Sequence, residues 1–511
     1  MKSKGTVYLV GAGPGDAGLL TLRGAELLQR ADVVIYDVLA NPELLRFAPG
    51  TAELISRGSR GTDEALSQEQ LNALMISKAR EGKSVVRLKG GDPYIFGRGG
   101  EEAEELAAAG IPFEVIPGIS SVMAVPSYAG IPLTHRGLSS TFTVLTGHED
   151  PDKENSDLDF DKISHIPGTK VILMGLKRLP ELAETLIHRG MAAETPVAIV
   201  HQGTTGQQQS IEGTLANIAA VAAEHKISAP AITIIGDVVK LRPKLNWYER
   251  RTLFGQRIVV TRTREQASEL SKQLIDLGAE VLEIPTIKIV PPGEERRQDI
   301  IDALLELNSY DWLVFTSPNG VTAFFDLFFR RFQDLRDLGG AKIAAIGPAT
   351  AAKLKELHLQ VDLMPEEAIS SKIAKAFDKF ETLENLKVCL LRAEVANPDL
   401  PKALEELGAI VDDVAVYKTV AETDDPGGTA AKLLEHGANW ITFTSASTVE
   451  HFHTRFDLPK LRKKFPDTKL VSIGPETSKA LRAIGLEPMQ EAREHTIQGV
   501  VQAVLDGTRP R

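Results

Sequence analysis

The sequence predicts an α/β protein built on mainly parallel sheets, and three observations carry that prediction. Short apolar, β-rich runs alternate with amphipathic helical patterns along all 511 residues, the signature of strands joined by crossover helices. The second half of the chain repeats itself at an offset of 130 falling to 127 residues, which means a duplicated domain and not a solenoid of short repeats. Apolar residues at 43% and charged residues at 25% are the usual proportions of globular protein, enough for several cores at roughly 150 residues each.

The elements follow in order. VYLVG (7–11) reads as the first strand, a helix lies near Thr21–Ala31 with Thr21 as its N-cap, and VVIYD closes the next strand at Asp37. The pattern repeats with KSVVRLK (83–89), a helix near Glu101–Ala109, and PFEVI (112–116). The acidic stretch 149–161 is a poor core former and reads as a solvated loop between two subdomains. Strands resume at KVILMGL (170–176), PVAIVHQG (196–203) and AITIIGDVV (231–239). RPKLNWYERRTLFGQ (242–256) has no clear period and reads as a linker, and a new α/β unit opens at RIVVTR (257–262). Within the duplication, YDWLVFTSPNGVTAFF (310–325) recurs as GANWITFTSASTVEHF (437–452), and AAIGPATAAKLKELHLQ (344–360) as VSIGPETSKALRAIGLE (471–487). RIVVTR with LIDLGAEV recurs as KVCLLR with LEELGAIV. Two similar α/β domains with a ligand-binding cleft between them are expected.

Charge and cysteine content narrow the function classes. A net charge of −11 argues against a general nucleic-acid or membrane binder. The single cysteine, Cys389, excludes an internal disulfide and a Cys-cluster metal site, and reads as a buried core thiol. No run approaches the roughly 20 apolar residues of a membrane span, and the N-terminus has no leader-like apolar region. A cytoplasmic protein is expected.

Gly13-Pro-Gly-Asp-Ala-Gly18 fits G-x-G-x-x-G, and the acid Asp37 ends the next strand. That is almost the dinucleotide fingerprint. Three features oppose a pyrophosphate. Asp16 places a carboxylate where positive potential is wanted, Pro14 removes a backbone N–H, and AGLLT separates the loop from its helix. On the motif alone, a plain glycine turn is as good a reading as a nucleotide loop. Two more Gly/Pro-rich loops follow later strands, RLKGGDPYIFGRGGEE (87–102) and PGISSVMAVPSYAGIPLTHR (117–136). Together the three suggest a concave site for a flexible polar ligand with little phosphate.

GAGPGDAGLLTLRG, VIYD, VVRLKGGDPYIFGRGGEE and AGIPLTHR together resemble the S-adenosylmethionine-dependent uroporphyrinogen-III C-methyltransferases of the tetrapyrrole methylase family, over about residues 5–245. The resemblance implies a two-subdomain methylase fold over 1–246, with subdomains of about 1–136 and 137–246. It implies methyl transfer from the sulfonium of S-adenosylmethionine, without a metal, to two pyrrole carbons of uroporphyrinogen III. The product is precorrin-2, the precursor of sirohaem and cobalamin. It implies a cofactor site from Pro14, Gly90, Gly91, Asp92, Ile95, Ser120, Ser121, Met174 and Gly203, and a proton acceptor at Asp37. Where the family has a Val-Gly-Lys-Arg stretch with a proton-donating lysine, this chain reads LISRGSRGTDE, so Arg57, with Arg60 close by, is the nearest equivalent. Arginine stays protonated and suits the substrate's carboxylates better than proton donation. Arg98 and Arg136 are further candidates for those carboxylates. The resemblance also implies a homodimer through this half.

RIVVTR, FTSPNGV, AIGPATA, VAVYKTV and FTSASTV…SIGPETS resemble uroporphyrinogen-III synthase, over about residues 250–508. This resemblance implies two α/β domains behind a linker at 247–256, with IPTIKIV and VAVYKTV as the connecting strands. Domain A takes 257–284 plus 421–508 and domain B 285–420, so each sequence repeat is split between both domains. The implied reaction closes hydroxymethylbilane to uroporphyrinogen III. Thr316, Ser317, Thr444, Ser445 and Thr477 are expected to face the cleft and bind substrate, with Tyr417 assisting departure of the hydroxyl. The alternative is a methyltransferase fused to a non-catalytic tetrapyrrole-binding module. With no NAD-binding module read in the chain, precorrin-2 is the expected end product.

Overall fold

The computed structural model describes residues 5–58, 65–147, 158–261, 264–365, 370–425 and 428–508. The strands of these residues form four five-stranded sheets.

The first sheet holds β1 (Val7–Gly11), β2 (Val33–Tyr36), β3 (Glu53–Ser56), β4 (Val85–Lys89) and β5 (Phe113–Ile116), all parallel, in the order β3-β2-β4-β1-β5. Both faces are covered, as a parallel sheet requires. Val10, Val34, Val86 and Leu88 pack on one face, and Val7, Leu9, Val33, Ile35 and Val85 on the other. β4 is the middle strand, and its alternation puts Arg87 and Lys89 on the face of Val85. The helix expected near Thr21–Ala31 runs Leu22–Leu28, and Thr21 Oγ1 caps it by accepting from Gly24 N at 3.1 Å. Of the acidic stretch 149–161, residues 149–157 lie outside the described residues.

The second sheet holds β6 (Phe142–Thr146), β7 (Thr169–Leu173), β8 (Pro196–His201), β9 (Gln209–Thr214) and β10 (Ala231–Ile235), in the order β6-β7-β10-β8-β9. Only β6–β7 is parallel. The helix Ser121–Tyr128 links the first two sheets. It starts from the loop after β5 and buries Val122 and Val125 against Val171, Ala198, Val200 and Ile234.

The remaining strands are β11 (Arg257–Val260), β12 (Glu280–Glu283), β13 (Ile287–Val290), β14 (Trp312–Phe315), β15 (Lys342–Ala345), β16 (Lys387–Ala393), β17 (Ile410–Ala421), β18 (Trp440–Phe443), β19 (Lys469–Ser472) and β20 (Gln490–Glu491). One sheet is β12-β11-β18-β19-β20 and the other β13-β17-β16-β14-β15. Each copy of the sequence repeat therefore gives strands to both sheets. The chain crosses between them around Pro285 and again after β17, where Ile287–Val290 pairs antiparallel with Lys418–Ala421. Trp312 and Trp440 sit at equivalent places of the two copies and are both fully buried. Cys389 lies inside β16, where burial pushes its thiol up to about 12 and keeps it protonated.

The aperiodic segment 242–256 is not a loose tether. After a short helix, Arg242–Leu245, the rings of Trp247, Tyr248 and Phe254 pack in a chain that includes Tyr128, with neighbouring centroids 4.8 to 5.6 Å apart. Arg251 lies over Trp247 and Tyr248 at 4.8 and 5.0 Å. Its aromatic residues are spaced by tertiary contacts, so no helical or strand period exists to be read.

Candidate active sites

Loops at the C-terminal ends of β1, β4 and β5 meet backbone to backbone. Gly91 N donates to Gly13 O at 2.7 Å, and Gly13 N donates to Gly91 O at 3.2 Å. A Cβ on Gly11 would fall 2.5 Å from Gly118 Cα, and one on Gly118 would fall 2.2 Å from Gly91 O. Neither position admits a side chain. A fourth loop arrives from the second sheet. Asp16 N donates to Thr204 Oγ1 at 3.1 Å, and Gly203 lies under Val125, where a Cβ would meet the valine at 2.5 Å. Asp92 braces two of the loops, accepting from Tyr94 N at 2.8 Å and from Gly118 N at 3.0 Å. Its carboxylate keeps further lone pairs for a ligand. Ser120 caps the helix that Ser121 begins. Pro14, Gly90, Gly91, Asp92, Ser120, Ser121 and Gly203 thus lie on loops in mutual contact. Ile95 and Met174 stand on the loops after β4 and β7, 46% and 51% exposed, and offer apolar surface.

The junction fits S-adenosylmethionine better than a dinucleotide. Asp16 accepts from Gly18 N at 2.7 Å and from Tyr128 OH at 2.7 Å. The loop's own carboxylate therefore takes the amide that a pyrophosphate would need. Backbone groups and Asp92 suit a zwitterion, apolar side chains suit a base, and the acidic surroundings tolerate a sulfonium cation.

Asp37 follows β2 directly. Arg87 Nη2 donates to its Oδ1 at 2.5 Å, and Arg57 Nη1 lies 3.7 Å from the same oxygen. Burial alone would raise the Asp37 carboxyl, but the charges of Arg87, Lys89 and Arg57 prevail and hold it below the usual carboxylate range. Arg57 sits beside the Asp37 carboxylate, and Arg60 lies outside the described residues. Arg98 is engaged in a surface pair, donating from Nε to Glu101 Oε2 at 2.9 Å, and Arg136 is exposed.

Sequence reasoning missed what stands behind Asp37. Arg87, Lys89 and Glu102 are 0%, 1% and 0% exposed, and Lys89 Nζ donates to Glu102 Oε1 at 2.8 Å. Burial, then the nearby Arg87 charge, lower the Lys89 ammonium against the pull of Glu102. A signal was present: two cations alternate inside VVRLK, a strand otherwise apolar enough to be covered on both faces.

In the second half, Ser317 caps the helix Pro318–Arg331, accepting from Gly320 N at 3.0 Å, and its Oγ lies 3.0 Å from Tyr417 OH. Thr316 precedes it, with its N–H directed to Leu391 O at 3.4 Å. Burial raises the Tyr417 phenol more than Ser317 lowers it, so the phenol keeps its proton and can donate. Ser445 caps the equivalent helix, Ala446–Phe456, accepting from Thr448 N at 3.2 Å, directly after Thr444. Thr477 is buried in the first turn of Pro475–Ala483. Thr316, Ser317 and Tyr417 therefore belong to one sheet, and Thr444, Ser445 and Thr477 to the other.

These features define an α/β enzyme of two unlike halves. The first is built round a glycine-loop junction beside a paired carboxylate, the second round two sheets that share a duplicated sequence. Residues 6–219 match the Tetrapyrrole (Corrin/Porphyrin) Methylases and residues 268–502 match Uroporphyrinogen-III synthase HemD. The chain belongs to these two families, joined in one polypeptide. "Porphyrin biosynthesis protein HemD" of Ruminiclostridium josui is 38% identical over 503 residues, 98% of each chain. The S-adenosyl-L-methionine-dependent uroporphyrinogen III methyltransferase of Methanosarcina barkeri is 53% identical over 248 residues, 48% of this chain and 96% of that protein. Among solved structures, uroporphyrin-III-C-methyltransferase from Thermus thermophilus is 40% identical, covers 47% of this chain and 99% of that one, and has a TM-score of 0.40.

Proposed function

We propose that the chain performs two successive steps of tetrapyrrole biosynthesis. Its second half closes hydroxymethylbilane to uroporphyrinogen III, and its first half methylates that product twice to give precorrin-2, for sirohaem or cobalamin. The observation that carries the reading is Asp37, a partnered carboxylate at the mouth of the same parallel sheet whose glycine loops fit the methyl donor. S-adenosylmethionine supplies an already activated methyl group, so the protein's work is alignment and proton removal. Pro14, Gly90, Gly91, Asp92, Ile95, Ser120, Ser121, Met174 and Gly203 hold the donor. Asp37 accepts the proton that leaves the methylated ring system. Arg57, with Arg98 and Arg136 farther out, binds substrate carboxylates.

In the second half, the half-buried hydroxyls of Thr316, Ser317, Thr444 and Ser445 and the amides of the helix starts, that of buried Thr477 included, meet the eight carboxylates of the substrate. The Tyr417 phenol donates to the departing hydroxyl, which leaves as water. Holding the bilane in a ring-closing shape supplies much of the rate. We divide the chain into a methyltransferase of 1–246, with subdomains of about 1–136 and 137–246, a junction at 247–256, and a synthase with domain A at 257–284 plus 421–508 and domain B at 285–420. The four sheets support this division. No helix among the described residues is long and apolar enough to cross a membrane, and we place the protein in the cytoplasm, as a homodimer through its methyltransferase half.

Two half-reactions test the reading. Uroporphyrinogen III with S-adenosylmethionine gains two methyl groups, and hydroxymethylbilane alone gives the type III isomer. Type I isomer from the second assay, the product of unassisted closure, would reduce the second half to a binding module.

A further inference from the structure

Two cations reach Asp37, and both address one oxygen. Arg87 Nη2 and Arg57 Nη1 approach Oδ1, and no hydrogen bond from the described residues reaches Oδ2. Followed away from Asp37, both arginines lead to a single carboxylate. Arg87 Nε donates to Glu102 Oε1 at 3.4 Å. Arg57 Nη2 donates to Gln68 Oε1 at 3.2 Å, and Gln68 Nε2 donates to the same Glu102 oxygen at 3.3 Å. Asp37, Arg87, Glu102, Gln68 and Arg57 thus close a ring. It joins the end of β2, the middle of β4, the end of β3 and the helices Gln68–Arg80 and Gly99–Ala108. Asn72 Oδ1 steadies Gln68 by accepting from Nε2 at 3.1 Å. Lys89 is the second cation in direct contact with Glu102, at 2.8 Å, beside Arg87.

Stability does not account for this arrangement. Glu102 is fully buried, and its Oε2 is buried with no hydrogen-bond partner. An unpaired buried carboxylate oxygen is costly, and apolar residues of similar volume are often as stable as a buried ion pair. A directional role accounts for it. A carboxylate that takes a proton must present one oxygen at a defined place, and side chains in a ring of four hydrogen bonds closed by one ion pair, Arg57 to Asp37 at 3.7 Å, have few other orientations.

We propose that Glu102 is a positioning residue for methyl transfer: by holding Arg87 and, through Gln68, Arg57, it fixes both guanidinium groups on Oδ1 of Asp37 and leaves Oδ2 to face the substrate. This rests on Asp37 being the proton acceptor. Lys89 balances the charge of Glu102 in the interior.

The test uses the full chain, with methylation of uroporphyrinogen III and calorimetric binding of S-adenosylhomocysteine as separate readouts. Gln68→Leu cuts only the Arg57 arm, at a partly exposed helix start. Glu102→Ala with Lys89→Met removes the hub without leaving a buried lone cation. Glu102→Gln with Lys89→Met restores an accepting oxygen. The expected results are a kcat lowered about 5-fold by the first variant and about 100-fold by the second, with partial recovery in the third. KM for uroporphyrinogen III and S-adenosylhomocysteine affinity stay within about twofold throughout. If the hub variant does not fold, Gln68→Leu decides. The proposal is overturned if kcat is unchanged while Asp37→Asn is inactive, or if kcat and S-adenosylhomocysteine affinity fall together, which is the mark of a packing role. Full activity of Asp37→Asn would instead overturn the role of Asp37 itself.

Discussion

Asp37 shows how a site can be half legible at the level of single residues. Its place at a strand end is visible in VVIYD, because a strand of a parallel sheet opens at its C-terminal end into the crevice where ligands bind. Its partners are not visible, because Arg87, Gln68 and Glu102 are 50, 31 and 65 residues away and only the fold brings them together. Asp37→Asn keeps the shape and removes the basic oxygen. Methylation is expected to fall by about 10²- to 10⁴-fold, with S-adenosylhomocysteine binding retained, in steady-state rates beside calorimetry. The sign of its pH effect follows from its lowered folded pKa. The stabilisation is present above the unfolded value of about 3.9 and is lost as pH falls through the lower folded value. Below about pH 4, a plot of Tm against pH is therefore expected to be flatter for Asp37→Asn than for the parent.

At the scale of elements, the strands and helices of both halves were readable from alternation and capping. Thr21 caps the helix that the sequence places after it, whereas the caps at Ser317 and Ser445, expected as cleft-facing hydroxyls, emerge from the structure. The loops were readable only as glycine-rich. Which glycines are indispensable depends on contacts between loops distant in sequence, and Gly11 and Gly118 are such a pair. Gly118→Ala would drive a methyl group to 2.2 Å from Gly91 O and part the β4 and β5 loops. Overpacking of this kind costs about 1–3 kcal/mol. S-adenosylhomocysteine titration is expected to show binding lost at least tenfold, whereas bilane closure in the same variant continues. Ring closure unaffected together with normal S-adenosylhomocysteine affinity would separate the glycine junction from the donor site. The aromatic packing of Trp247, Tyr248 and Phe254 escaped the sequence because the contacts are tertiary and leave no period.

Over the whole molecule, the two halves touch where Gly206 and Arg46 of the first meet the opening segment of the second. Gly255 N donates to Gly206 O at 3.1 Å, and a Cβ on Gly206 would lie 2.3 Å from Glu280 N. Arg46 reaches Glu283 of β12 at 4.0 Å, and nearby Glu43 is pushed up to about 7 by burial, then by the charge of Glu283, against Arg46. A carboxyl raised on folding withdraws stability as pH rises from its unfolded value of about 4.3 through 7. Glu43→Gln is therefore expected to raise Tm at pH 8 and leave it nearly unchanged at pH 4.5, by scanning calorimetry. Which surfaces meet was not legible, since the contact joins backbone and charge from segments with no shared pattern. That the halves belong together was legible, because the product implied for one is the substrate implied for the other.

That coupling of two activities in one chain is the central claim, and one anaerobic assay addresses it. Hydroxymethylbilane is generated in situ from porphobilinogen, S-adenosylmethionine is present, and the products are read by absorbance and, after oxidation, by mass. The account predicts a doubly methylated product of the type III isomer from this protein alone. Type I product from the bilane, with methylation only when uroporphyrinogen III is supplied, would contradict it for the second half. No methylation under either condition would contradict it for the first.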